Sequence, residues 1–125
     1  MSDDEVKSVW PATWTRAALG TAVLASLENG ALHGYGIAQA VNELGFGRPK
    51  GGSLYPLLTG LENDGAVIAQ WEQGQNGPGK RNYALTPHGH SRLHEERRAW
   101  HALANSLGAQ KPDTDNDSDP QGMKP

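Results

Sequence analysis

The stretch KGGSLYPLLTGLENDG, residues 50–65, decides how this chain is read. Leu54, Leu57, Leu58 and Leu61 recur at i, i+3, i+4 and i+7, so a 3.6-residue period gathers them into one apolar stripe that must be buried. The opposite side, Ser53, Tyr55, Thr59 and Asn63, carries hydrogen-bonding groups and no charge, and a cationic, glycine-loosened approach through Arg48, Lys50, Gly51 and Gly52 leads into it. One buried side and one uncharged polar side suit a short helix that touches another surface, although an ordinary solvated helix has the same look. Pro56 fits a helix that starts near Gly51 or Gly52, because the first amide donors of a helix have no internal partner to lose.

Downstream, Gly65 stops this helix and VIAQWEQ, Val67 to Gln73, has the alternating, β-branched pattern of a strand. GQNGPG is a turn, and KRNYALT, Lys80 to Thr86, returns as the second strand with Tyr83 and Leu85 on one face. The hairpin carries Lys80 and Arg81 near its tip, and no acid occurs between Glu72 and Glu95. A basic tip suits a phosphate backbone or a minor groove, and a solvated turn is the bland reading of two cations. A final helix is expected from Pro87 to Leu107, entered through a Thr86 cap with Pro87 at its first position. Its apolar residues, Leu93, Trp100 and Leu107 with Leu103 between, form a seam narrow enough for packing on another chain.

Upstream, residues 1–9 read as a flexible arm. A helix follows from Trp10 or Thr13 to Glu28, with Thr13 or Thr15 as cap and Gly30 as stop. Leu19, Val23 and Leu27 lie along one of its faces. Trp10, Trp14, Ala17, Thr21 and Leu24 lie along another, which a single small core would leave exposed and in need of a partner. Ala31, Leu32 and His33 lead into a second helix, Tyr35 to about Leu44, with Ile37, Ala38, Val41 and Leu44 inward, and GFGRPKGG breaks it.

At 125 residues the chain is one domain's worth, and its lack of cysteine removes disulfides and thiolate chemistry. No apolar run approaches the ~18 residues of a membrane span, and the start, MSDDEVKS, is acidic, so a soluble, cytoplasmic protein is expected. The net charge of −3 is unevenly spread. Seven acids lie in the two ends, and residues 10–111 hold nine Lys or Arg against seven Asp or Glu, a body of about +2. Residues 108–125 are polar, acidic and proline-bearing, hence expected to be disordered.

Three helices, a two-stranded wing and a long last helix make a mainly α chain with a β wing: a winged helix-turn-helix over residues 10–86 and a dimerisation helix over 87–107. The motifs Leu32-His33-Gly34-Tyr35-Gly36, Ser53-Leu54-Tyr55-Pro56-Leu57-Leu58, Leu61-Glu62, Asp64-Gly65, Trp71-Glu72, Gly79-Lys80-Arg81, Tyr83, Leu85-Thr86 and Gly89 are similar to those of the PadR family of bacterial transcriptional regulators. The resemblance extends from about Trp14 to Leu107 and corresponds to the short form with a single C-terminal helix. It implies a homodimeric DNA-binding regulator, often a repressor, which in many members a small aromatic ligand or drug releases, and packing of the 87–107 helix on the first helix of a second chain would make the operator an inverted repeat. Ser53, Tyr55 and Thr59 would then read the major groove with Lys50 beside them. Tyr35 would reach a phosphate, and Lys80 and Arg81 would touch the backbone or the minor groove.

Trp100, with Trp14, would form an aromatic platform at the dimer contact, where Leu93, Leu103 and Leu107 join Trp100, or Trp100 would simply be interface core. The chain departs from many relatives at Gly60, where they carry Arg or Lys before the Leu-Glu pair, which removes one phosphate contact. The alternative is a winged-helix module that binds a protein partner without reading DNA. An enzyme is not expected, for no nucleophile and base are grouped. His90, His94 and His101 share a helical stripe with Arg97 and lack an acid there, so no metal or cofactor is expected.

Overall fold

The computed structural model describes residues 7–74, 77 and 79–108. The expected acidic tail beyond Gly108 and the first six residues of the expected arm lie outside them. The first helix, α1, is Ala12–Ser26, preceded by Pro11, with no side-chain cap. Neither threonine caps it: the Thr15 hydroxyl instead donates to the Ala12 carbonyl. Val23, Leu24 and Leu27 are buried, so Leu24 belongs to the core and not to the exposed face. Trp10 also leaves that face. It precedes the helix and turns back onto Phe46, edge to face at 5.7 Å, while the Val9 amide donates to the Gly45 carbonyl. The end of the supposed arm is thereby anchored.

Two residues, Leu32–His33, form a short strand, β1, that carries no periodic signal in the sequence, and α2 follows directly as Gly34–Val41. Ile37, Ala38 and Val41 face inward as their spacing predicts. The chain then widens into a π-type turn, Asn42–Phe46, closed by Gly45 at φ 98°. That widening breaks the 3.6-residue register, and Leu44, expected inside, is 47% exposed.

The decisive stretch forms α3, Gly51–Asn63. Leu54, Leu58 and Leu61 are buried and Leu57 is half-buried, so the stripe meets the core as its period demands. Pro56 is the sixth residue of the helix, too far in to fall among the free first donors. It has no N–H for the Gly52 carbonyl, and the loss falls on an exposed glycine. At the other end Gly65, φ 82°, lets its own amide reach the Glu62 carbonyl and the Ala66 amide reach that of Leu61, which satisfies two of the last free carbonyls. β2 (Val67–Glu72) and β3 (Lys80–Leu85) pair antiparallel, with Trp71 opposite Arg81 and Glu72 opposite Lys80. β1 adds to the free edge of β3, Leu32 opposite Tyr83, so the wing is a three-stranded sheet in the order β1-β3-β2.

α4 is Pro87–Ser106. Thr86 caps it as expected: its hydroxyl accepts the Gly89 amide and donates to the Gly65 carbonyl at 2.6 Å. The helix does not divide from the rest at its start. One compact unit runs through Leu93, which is 2% exposed within the core, and a second begins at His94. Leu93 is therefore filled from its own chain and is withdrawn from the expected dimer seam.

Asp64, just past α3, accepts hydrogen bonds from His88 at 3.0 Å and Arg92 at 2.9 Å, and these hold its carboxyl below the ordinary aspartate range. A group depressed in this way contributes stability above its unfolded pKa of about 3.9 and loses it as pH falls through the folded value. Asp64→Asn should be less stable than the parent in urea at neutral pH, with the gap closing in acid. A gap unchanged by acid would remove the carboxylate charge from the account.

Candidate nucleic-acid interface

The outward side of α3 contributes nothing to the core. Ser53, Tyr55, Thr59 and Asn63 are all exposed, and none is charged. Lys50 stands exposed at the N-cap, where helix-starting amides and an ammonium group together favour an anion. Tyr55 is tied to the fold on one side only. Its ring lies against Gly34, where a β-carbon would collide with Oη, and its other side is open, leaving it 49% exposed. Glycine at the start of α2 thus lets the two helices approach closely enough for the tyrosine to bridge them.

Tyr35, the second residue of α2, is 72% exposed. The Arg48 guanidinium lies over its ring at 4.9 Å and donates to Gln39 Oε1 at 3.3 Å. In the sequence Arg48 stands out only as part of a basic approach. Its pairing with Tyr35 depends on how the 47–50 loop folds back over α2, which no local pattern reveals.

On the wing, strand parity separates the two cations expected to share a tip. Lys80 lies on the face with Asn82, and among the described residues it pairs with no acid. Arg81 lies on the face with Tyr83, which is buried, and Nη2 of Arg81 donates to both carboxylate oxygens of Glu62 on α3. Burial raises the Tyr83 phenol pKa against the opposing pull of Arg81, so the ring stays neutral. A further tie has no signal in the sequence: His33 Nε2 meets Glu72 Oε1 at 2.7 Å and joins β1 to the far end of β2.

Gly34, Tyr35, Tyr55, Trp71, Lys80 and Asn82 are among the residues around an open cleft of about 700 Å³ between α2, α3 and the wing. Tyr35, Tyr55, Lys80 and Arg81, expected to act together, are thus brought to one cleft. Lys50, Ser53 and Thr59 continue from it along α3. Trp71, 71% exposed on the wing, joins them, although in the sequence it is marked only as part of a motif. Trp14 is 63% exposed on α1, Trp100 and Leu103 are 36% and 47% exposed on α4, and Leu107, expected as the last helical residue, lies just past the end of α4 and is 78% exposed. Among the described residues no three His, Asp or Glu gather as metal ligands, and no helix is long and apolar enough to cross a membrane.

Comparison with known proteins agrees with this geometry. The profile described as "Transcriptional regulator PadR-like family" matches residues 23–95. The Mycobacterium tuberculosis (strain ATCC 25618 / H37Rv) protein named Transcriptional regulator Rv3488 is 35% identical over 96 residues, covering 76% of this chain and 88% of its own. A PadR-like transcription factor from Bacteroides fragilis superposes with a TM-score of 0.67 at 28% identity, over 77% of this chain and 92% of its own. A PadR family transcriptional regulator from Eggerthella lenta DSM 2243 gives 0.70 at 27% identity, over 77% and 83%.

Proposed function

Because the chain belongs to the PadR-like family of transcriptional regulators, a family of regulators and not of enzymes, we propose that it binds operator DNA as a cytoplasmic homodimeric repressor and lays α3 in the major groove. The observation that carries this reading is the uncharged, exposed Ser53, Tyr55 and Thr59 face, with Lys50 at one end and the Tyr35 and Lys80 cleft beside it. Hydrogen-bonding groups without charge read base edges, and the cations around them hold the backbone. The apolar seam of Trp100, Leu103 and Leu107 packs against α1 of a second copy. A two-fold dimer of that kind reads an inverted repeat with half-site centres about 34 Å apart or a multiple of it.

A planar aromatic effector, sandwiched at the dimer contact by Trp100 with Trp14 alongside, releases the operator. Stacking of this kind is worth ~0.5–1.5 kcal/mol per aromatic pair beyond area burial. Trp100→Ala then leaves a dimer that binds operator and ignores planar aromatic dyes.

Selecting bound fragments from the source genome and titrating the recovered site across salt tests the whole reading. The expected result is an inverted repeat whose log affinity falls by about 0.9 per phosphate contact per tenfold rise in salt. A protein that enriches no fragment, or whose binding ignores salt, is not this regulator.

A further inference from the structure

Arg81 is the wing cation that the family resemblance would send to the DNA backbone, yet its guanidinium, although its side chain is still 45% exposed, is held by an acid of α3. Nη2 donates to Glu62 Oε1 and Oε2 at 3.2 and 3.0 Å, and Cζ stands 5.7 Å from the centre of the Tyr83 ring. Strand alternation places Arg81 on the face of Tyr83, and Tyr83 is 4% exposed, so the guanidinium has a fixed ring beside it.

Glu62 is the one charged side chain in α3. It sits in the last turn, where the helix dipole already opposes a negative charge, and an unmasked carboxylate beside a DNA groove would repel phosphate. Asp64, the next acid, is likewise covered by His88 and Arg92. Each carboxylate at this end of α3 is thus matched by a cation from another element, whereas Lys80, one residue from Arg81, pairs with no acid among the described residues.

We infer that Arg81 is a positioning residue: through Glu62 it fixes the angle of α3 against β3 and masks the helix's carboxylate, and Lys80 makes the wing's phosphate contact. The inference rests on the DNA-binding reading for its effect on specificity, but the brace itself does not.

The experiment compares the parent with Arg81→Ala, Glu62→Gln, the double variant and Lys80→Ala. Two probes are used, the fragment recovered by genomic selection and a random-sequence duplex of equal length, and hydrogen exchange is followed at the amides of residues 59–64 in DNA-free protein. Arg81→Ala and Glu62→Gln should each lower the ratio of operator to random affinity about two- to fivefold, the range of an exposed ion pair. The double variant should be no worse than the worse single, and the salt slope should stay at the parent value. Lys80→Ala should flatten the slope by about 0.9 with the ratio unchanged.

Exchange should quicken in the Arg81 and Glu62 variants and not in Lys80→Ala. A slope flattened by Arg81→Ala, or two single effects that add, would overturn the inference. If the parent selects no DNA, the functional reading fails by itself. The exchange data then decide the brace, and equal exchange in all variants would refute it.

Discussion

Gly89→Ala is expected to destabilise the protein by about 3 kcal/mol or more, although the same change in an exposed helix would stabilise it by up to about 1 kcal/mol. Gly89 is buried in the first turn of α4, and a β-carbon there would collide with the Ala66 carbonyl oxygen and sit 3.0 Å from Leu85 Cδ2. The carbonyl cannot swing aside. It accepts the Thr86 amide at 3.1 Å, and its residue follows directly on the Gly65 turn that ends α3. Relief therefore requires α4 to lift from the sheet and take Leu93 out of the core. Gly60→Ala supplies the control, since nothing lies within 4 Å of its β-carbon position, and it should gain stability. Urea unfolding of the two variants with the parent checks both signs. A Gly89→Ala protein as stable as the parent would show that no such approach exists.

The second large effect concerns assembly. Replacing Leu103 and Leu107 together by Asp should give a monomer at micromolar concentration and weaken operator binding by a factor of about 100 or more, because the two half-sites are no longer engaged by one tethered pair of reading helices. Both leucines are exposed on their own chain, so the change places charge on a surface that only a partner would cover. Leu93, the α4 leucine in the core, is untouched, and the variant should keep the parent's urea transition at low protein concentration. Light scattering and operator titration on one sample read both consequences. A dimer that persists would remove the seam from the proposal.

Where local pattern and local cause coincide, the sequence is a sound guide. The leucine stripe of α3, the Gly65 stop and the Thr86 cap each follow from residues within one or two turns of one another, and each is found. Strand parity is equally legible: Arg81 has the parity of Tyr83 and Leu85 and so stands on the face opposite that of Lys80, although its partner Glu62 comes from another element. What stays hidden depends on distant partners. β1 is two residues long, too short to show a period, and exists because β3 offers an edge to it. Leu24 and Leu93 look surplus to a small core because their places are set by elements far along the chain. Leu44 is displaced by a widened turn whose cause, the conformation of Gly45, carries no hydrophobic signature.

The two sides of α3 also bear on how such a chain can diverge. Its leucines hold the fold, whereas Ser53, Thr59 and Asn63 are exposed and take no part in the core. Exchanges at such surface positions usually change stability by less than about 0.5 kcal/mol in either direction. Two descendants of this chain could therefore drift to different targets along one helix, with every intermediate still folded. Tyr55 is the exception. Its ring lies against Gly34, so a lineage that kept it would have to keep glycine at the start of α2 as well.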